Sequence, residues 1–170
     1  MAAKTGGKKT RTVVVTVGNE FRGDDAAGIV FGRSVAGRID SPVIEAGDAP
    51  ENACSEIVRH DPDCIVIVDA MDFGGEPGGF VYTAYSGLDN LSISTHGSLN
   101  LFAMYLEKAT SADIRILGIQ PKSLDMEAAM SEEVLRAIDA IAGRVAAAGG
   151  FDGVFGDDHT SVRRKAVSGS

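Results

Sequence analysis

"DCIVIVDAMDFGGEPGGFVYTAY", residues 63–85, settles the architecture of this chain. Its first eight residues form an apolar run that ends on Asp69, the pattern of a strand buried on both faces. Its last eight, "GGFVYTAY", read as a second strand. The linker between them, "DFGGEPGG" (72–79), is too short for a parallel crossover, which takes a dozen or more residues. The second strand must therefore run antiparallel to the first and finish at the opposite, amino edge of the sheet.

Working outward, "TVVVTV" (12–17) is a β-branched run of the same buried kind. A helical stretch is expected from Asp24 to Ile39, with Ile29, Val30 and Val35 among its apolar positions. "SPVIEAG" (41–47) is a short strand. Pro50 to Arg59 reads as a helix, since Pro50 suits a first turn. Downstream, "SGLDNLSIS" (86–94) is expected to be extended; nine such residues reach roughly 30 Å, enough to bring the chain back across a sheet. "THGSLNLFAMYLEKA" (95–109) has Leu99, Phe102, Ala103 and Leu106 at helical spacing. "ADIRILGI" (112–119) is a fifth strand, and "SEEVLRAIDAIAGRVAAA" (131–148) a last helix with Ser131 as its N-cap. Strands that alternate with helices give an α/β fold. The expected form is a three-layer sandwich: a five-stranded, mostly parallel sheet with one antiparallel strand and helices on both faces. The folded unit is expected over residues 12–148. Residues 1–11 form a tail with nothing to pack, and 149–170 a mobile tail whose Phe151 and Phe155 dock loosely.

The chain has 170 residues, suited to one domain, with a formal net charge of −8 and a pI near 4.8. That balance argues against nucleic acid as a partner. No apolar stretch approaches the roughly 18 residues of a membrane span, and the basic opening lacks the apolar core of a secretory signal. A cytoplasmic monomer is expected, with no membrane partner. Cys54 and Cys64 lack metal-type spacing and read as buried free thiols. His60 reads as an exposed helix end, and His159 lies in the tail. There is no H-E-x-x-H, G-x-S-x-G or P-loop, and the spacing of Gly18, Gly23 and Gly28 does not match a dinucleotide fingerprint.

The topology gathers three groups on the carboxyl edge, where open α/β sheets carry their sites. Asp24 and Asp25 follow the first strand, Asp69 ends the third, and His96 opens the helix before the fifth. Two carboxylates and an imidazole suit a divalent transition metal and leave coordination positions open. Each group also has a plainer reading. The aspartate pair would favour a helix start electrostatically, Asp69 could end a turn, and His96 could be a structural histidine. Asp72 is placed to cap its loop or orient the site, and Asn19 and Gln120 are further neighbours on that edge.

With these residues in place, the chain resembles the maturation endopeptidases of nickel–iron hydrogenases. The landmarks occur in order as "VGNEFRGDDAAG", "GDAPEN", "IVIVDAMDFGGEPG", "STHGSLN" and "LGIQP", over about residues 13–145. Two departures stand out: Ala26 where the family usually has Gly, and Glu20 where it usually has an apolar residue. The resemblance implies that Asp25, Asp69 and His96 face the metal and carry the chemistry, leaving Asp24 to helix-start electrostatics, so that its substitution should be the milder one. It further implies a metal-dependent, aspartic-type endopeptidase that removes a C-terminal extension from a hydrogenase large-subunit precursor. The nickel is then the substrate's own, with zinc or cadmium able to stand in its place.

Two other readings keep the same edge but change the chemistry. A phosphoacceptor signalling domain would use the acidic pair and Asp69 with Thr95 and Lys122; Gly18 to Gly23 separate the pair from the strand tip, and His96 has no part in it. A non-catalytic nickel-binding chaperone would use the same ligands without cutting a peptide.

Overall fold

The computed structural model describes residues 8–91, 97–155 and 159–161. Its strands are β1 (Thr12–Val17), β2 (Val43–Gly47), β3 (Cys64–Ala70), β4 (Phe80–Ala84), β5 (Asp113–Ile119) and β6 (His159–Ser161). They form one sheet in the order β2-β1-β3-β5-β4-β6. The pairs β1–β2, β1–β3 and β3–β5 are parallel, while β4 runs antiparallel to β5, as the short 72–79 linker requires. The five expected strands are all present, with β4 the antiparallel one. The three-residue β6 pairs antiparallel with β4 and so points the same way as the rest.

The helices are α1 (Ala27–Val35), α2 (Cys54–Arg59), α3 (Gly97–Ala109) and α4 (Glu132–Ala147). The continuous apolar strands are explained by what covers them. Val13, Val15, Ile65, Ile67 and Ile116 face one layer, with Ile57 of α2 and Leu99, Phe102 and Leu106 of α3. Val14, Val66, Val68 and Leu117 face the other, with Phe31 of α1 and Val134, Ile138 and Ile141 of α4. Alternate residues of each strand thus enter opposite cores, and the sandwich has three layers. Among the described residues, no helix is long and apolar enough to cross a membrane.

The structure departs from the sequence reading in several places. The first helix begins as a tight 3-10 turn, Gly23–Ala26, and stops at Val35 rather than Ile39. Ala36 leaves the helical region with ψ 128°, and Gly37 follows in the left-handed region with φ 75°. The stretch expected to be extended is wound over Tyr85–Leu91. There it buries Leu88 while pairing its own backbone groups, which an unpartnered extended segment cannot do; residues 92–94 lie outside the described residues. Ser131 holds the N-cap position of α4, but its hydroxyl makes no capping bond. Finally, residues beyond 148 belong to the fold. Phe151 and Phe155 are 5% and 6% exposed. Phe151 packs 6.0 Å from the Phe31 ring, and Phe155 stacks 4.7 Å from Tyr82. At the other end, Arg11 reaches Asp61 at 2.7 Å and Asp63 at 3.1 Å, and its hydrogen bonds pull the Asp63 carboxyl down to about 2.

Candidate active site

The chain enters the sheet at β1 and moves outward to β2 across one face by α1. It then returns across the other face by α2 to β3, on the opposite side of β1. The gap between the carboxyl ends of β1 and β3 is therefore a topological switch point, where open α/β sheets bind ligands. Thr16 pairs with Val68, so Asp69 stands one residue beyond that level on β3.

The turn leaving β1 is folded tightly against the site. Gly18 has φ 140°, and a Cβ there would lie 2.0 Å from the carbonyl oxygen of Asp25. Only a glycine lets the two backbone stretches meet so closely. The N–H of Asn19 then donates to Asp25 Oδ2 at 3.1 Å, while Asn19 Oδ1 accepts from the Phe21 N–H at 2.9 Å. Asn19 thereby shapes the turn and holds the Asp25 carboxylate in one orientation.

Asp69 is 5% exposed. Its carboxyl is pushed up to about 8, first by burial and then by the nearby Asp25 charge, against a weaker opposing hydrogen bond from the Ala70 backbone. The coupling places Asp25 and Asp69 within electrostatic reach of one another. A buried carboxyl destabilised by desolvation and by a second carboxylate is the environment that a divalent cation relieves. The donor chemistry therefore fits a metal ion. Among the described residues, no cluster of three or more His, Cys, Asp or Glu side chains converges. The third expected member, His96, lies outside the described residues, one position before α3 begins.

Gln120 and Asp72 organise the neighbouring loop. Gln120 is 5% exposed; its Oε1 accepts from the N–H groups of Phe73 and Gly75, at 2.9 and 3.0 Å. Its Nε2 donates to Asp72 Oδ1 at 3.1 Å, and that oxygen also accepts from the Gly74 N–H at 3.0 Å. The 72–79 connection is thus pinned to the end of β5, which fixes the wall beside Asp69.

Asp24 has a different role from the one its sequence position suggests. It is fully buried, and its carboxylate is bonded to the segment between β5 and α4. Oδ2 accepts from the N–H groups of Lys122 (2.8 Å) and Ser123 (3.0 Å) and from the Ser131 hydroxyl (2.8 Å). Oδ1 accepts from the Ser131 N–H at 2.7 Å. Burial pushes this carboxyl up, but the bonds from Ser131, Ser123 and Lys122 together hold it below its usual value. Asp24 is an internal anchor, and the helix-start reading is corrected accordingly. The sequence offers no local signal for this, because the partners lie 98 to 107 positions away.

The remaining candidates hold no place at this edge. Cys54 is buried and Cys64 half-buried, both free thiols, with burial pushing Cys64 up to about 11. The Lys122 amine pairs with Glu133 at 2.8 Å, and Thr95 lies outside the described residues, so nothing here favours a phosphoacceptor.

Comparison with known proteins agrees with the landmarks. Residues 34–148 match the family model for hydrogenase maturation protease, HycI. A relative from Methanocaldococcus jannaschii, provisionally named a hydrogenase maturation protease, is 31% identical over 73% of this chain and 79% of its own. The hydrogenase 3 maturation protease of Escherichia coli is 28% identical over 76% of this chain and 85% of its own. Among solved structures, the nickel–iron hydrogenase maturation protease HycI of Thermococcus kodakarensis superposes with a TM-score of 0.71 at 34% identity. That match covers 81% of this chain and 91% of the other.

Proposed function

The chain belongs to the hydrogenase maturation proteases, and from that membership we propose that it removes a C-terminal extension from a nickel-loaded hydrogenase large-subunit precursor in the cytoplasm. It is a hydrolase, an endopeptidase of hydrogenase maturation, and its protein substrate is such a precursor. The observation that carries the finer reading is the buried Asp69 carboxyl beside Asp25 at the β1/β3 switch point.

The metal in this reading arrives with the substrate. Asp25, Asp69 and His96 face the nickel of the precursor, whose own groups complete the coordination, and zinc or cadmium can take its place in the isolated protein. Asn19 fixes the direction of the Asp25 carboxylate. Burial and the Asp25 charge push the Asp69 carboxyl up to about 8, and a bound cation would displace its proton. A bound cation would thus convert Asp69 from a neutral acid to a carboxylate. A tenfold preference for the loaded precursor corresponds to about 1.4 kcal/mol, within reach of one shared coordination bond. The chain acts as a monomer.

Two experiments test this. Asp25→Asn and His96→Ala are each expected to abolish processing of the nickel-loaded precursor while the thermal midpoint stays within a few degrees of wild type. Normal processing by either variant removes that residue from the site. Enzyme stripped with a chelator, then freed of it, is expected to cut the nickel-loaded precursor and leave the nickel-free one intact. A requirement for added zinc, or equal cutting of both precursors, overturns the substrate-borne metal. Binding of the loaded precursor without any shortening of it would make the protein a chaperone instead.

A further inference from the structure

Among the described residues, two large apolar side chains near the turn after β1 are exposed. Phe21 is 66% exposed and Met126 is 63% exposed. They are far apart in sequence and adjacent in the fold. Phe21 sits at the tip of the turn whose start, Asn19, donates to Asp25. Met126 belongs to the segment between β5 and α4, and the next residue, Glu127, donates its N–H to the Phe21 carbonyl at 2.7 Å. Glu127 adopts φ 59°, in the left-handed region that a glutamate rarely occupies. The backbone is thus held in a costly conformation at the point where Met126 is turned to solvent.

This arrangement is held from several sides. The four bonds of Asp24 tie residues 122, 123 and 131 down as a strap over the turn. The strap lies directly on the turn's backbone: a Cβ at Gly23 would come within 2.8 Å of the Ser123 carbonyl oxygen. On the opposite flank, Arg33 binds Glu20 at 3.2 Å and Glu45 at 2.6 Å, tying the residue before Phe21 to β2. Two exposed apolar groups on a rim so firmly held expose hydrophobic surface at a standing cost unless something covers it in use.

We infer that Phe21 and Met126 form an apolar clamp that grips a hydrophobic side chain of the precursor beside its scissile bond, with Asp24 as the residue that positions the clamp. The inference rests on the endopeptidase reading given above. The occupant follows from continuity: Phe21 and Asp25 share one turn, so a peptide whose metal-bearing end reaches Asp25 passes over this rim. Contact there is made by the chain flanking the cut, not by the metal. The clamp therefore acts on binding of the precursor rather than on the chemical step.

The test is a steady-state comparison on the nickel-loaded large-subunit precursor of a nickel–iron hydrogenase from the same genome. Phe21→Ser and Met126→Ser are each expected to raise KM about tenfold with kcat kept within twofold, and Phe21→Leu and Met126→Leu to restore KM. Both positions are exposed, so their thermal midpoints should equal that of wild type. Leu101→Ser serves as the comparison. Leu101 is 70% exposed on α3, beside a cavity of about 560 Å³ between α2 and α3, and its loss should leave KM unchanged. Unchanged KM in both clamp variants, or a rise confined to Leu101→Ser, overturns the clamp while the endopeptidase reading stands. Failure of the wild-type protein to bind or cut the precursor overturns that reading and the clamp with it.

Discussion

Asp69→Asn is expected to abolish precursor processing and, in the same protein, to raise the thermal midpoint at pH 8.5 by roughly 6–12 °C. The two effects have one cause. Asp69 is buried at the switch point beside Asp25, and its carboxyl is held up to about 8, whereas an unfolded aspartate titrates near 3.9. The folded state therefore binds the proton more tightly than the unfolded state does. That contribution to stability is complete below about pH 4 and declines as pH rises, disappearing through about pH 8. Above that, the protein carries a desolvated carboxylate facing another carboxylate, at a cost on the order of 3 kcal/mol after relaxation and water entry. An amide keeps the volume and removes the ionisation. At 2–4 °C per kcal/mol for a chain of this size, the expected rise follows. The measurement is the thermal midpoint of metal-free protein between pH 5 and 8.5. The difference between variant and wild type should widen with pH. A constant difference, or a variant less stable than wild type at pH 8.5, would remove the argument that Asp69 is held at an energetic cost for the sake of the site.

How much of this could be seen in the sequence depends on how local the physics is. The strands were legible because residues such as Val13 to Val17 and Ile65 to Val68 are covered on both faces, and that requires continuous β-branched runs. The direction of β4 was legible because it follows from a length: eight residues cannot make a crossover. The position of Asp69 near the tip of β3 was legible because the apolar run closes on it. The family expected from the ordered landmarks is the one whose family model residues 34–148 match.

What escaped the sequence is non-local or aperiodic. Phe151 and Phe155 sit outside any regular element, so no spacing marks them as core, yet they fill the space against Phe31 and Tyr82. The wound segment Tyr85–Leu91 is governed by where Leu88 finds cover, a tertiary question. Ser131 has the composition and position of a helix cap. Its hydroxyl is nevertheless taken by Asp24, a partner 107 residues away. Asp24 and Asp25 are identical in kind and adjacent in chain, and only their surroundings separate them.

Those surroundings make Asp24→Asn the second large effect, opposite in sign to Asp69→Asn: a loss of about 2–4 kcal/mol, seen as a midpoint lower by roughly 5–15 °C at pH 7. In the folded protein the Asp24 carboxylate accepts three backbone N–H groups and one hydroxyl. An amide has one acceptor oxygen and turns its NH2 toward donors wherever it is placed. At least one of Lys122, Ser123 or Ser131 is then left with an unpaired N–H in a part-buried site, and the charge assistance is lost for all of them. The linkage has the reverse sense to that of Asp69. Here the folded carboxyl lies below its usual value, so the contribution is present above about pH 4 and is lost as pH falls through the folded pKa. Wild type and Asp24→Asn should therefore converge in stability on acidification, whereas wild type and Asp69→Asn converge toward the same end from the other side. Because Asp24 holds the strap that carries Met126, the variant should also raise KM for the precursor at temperatures where it is still folded. A midpoint within 3 °C of wild type at pH 7 would show that the strap is held by other contacts, such as Glu127 to Phe21. In that case Asp24 would again be no more than a favourable charge at the start of a helix.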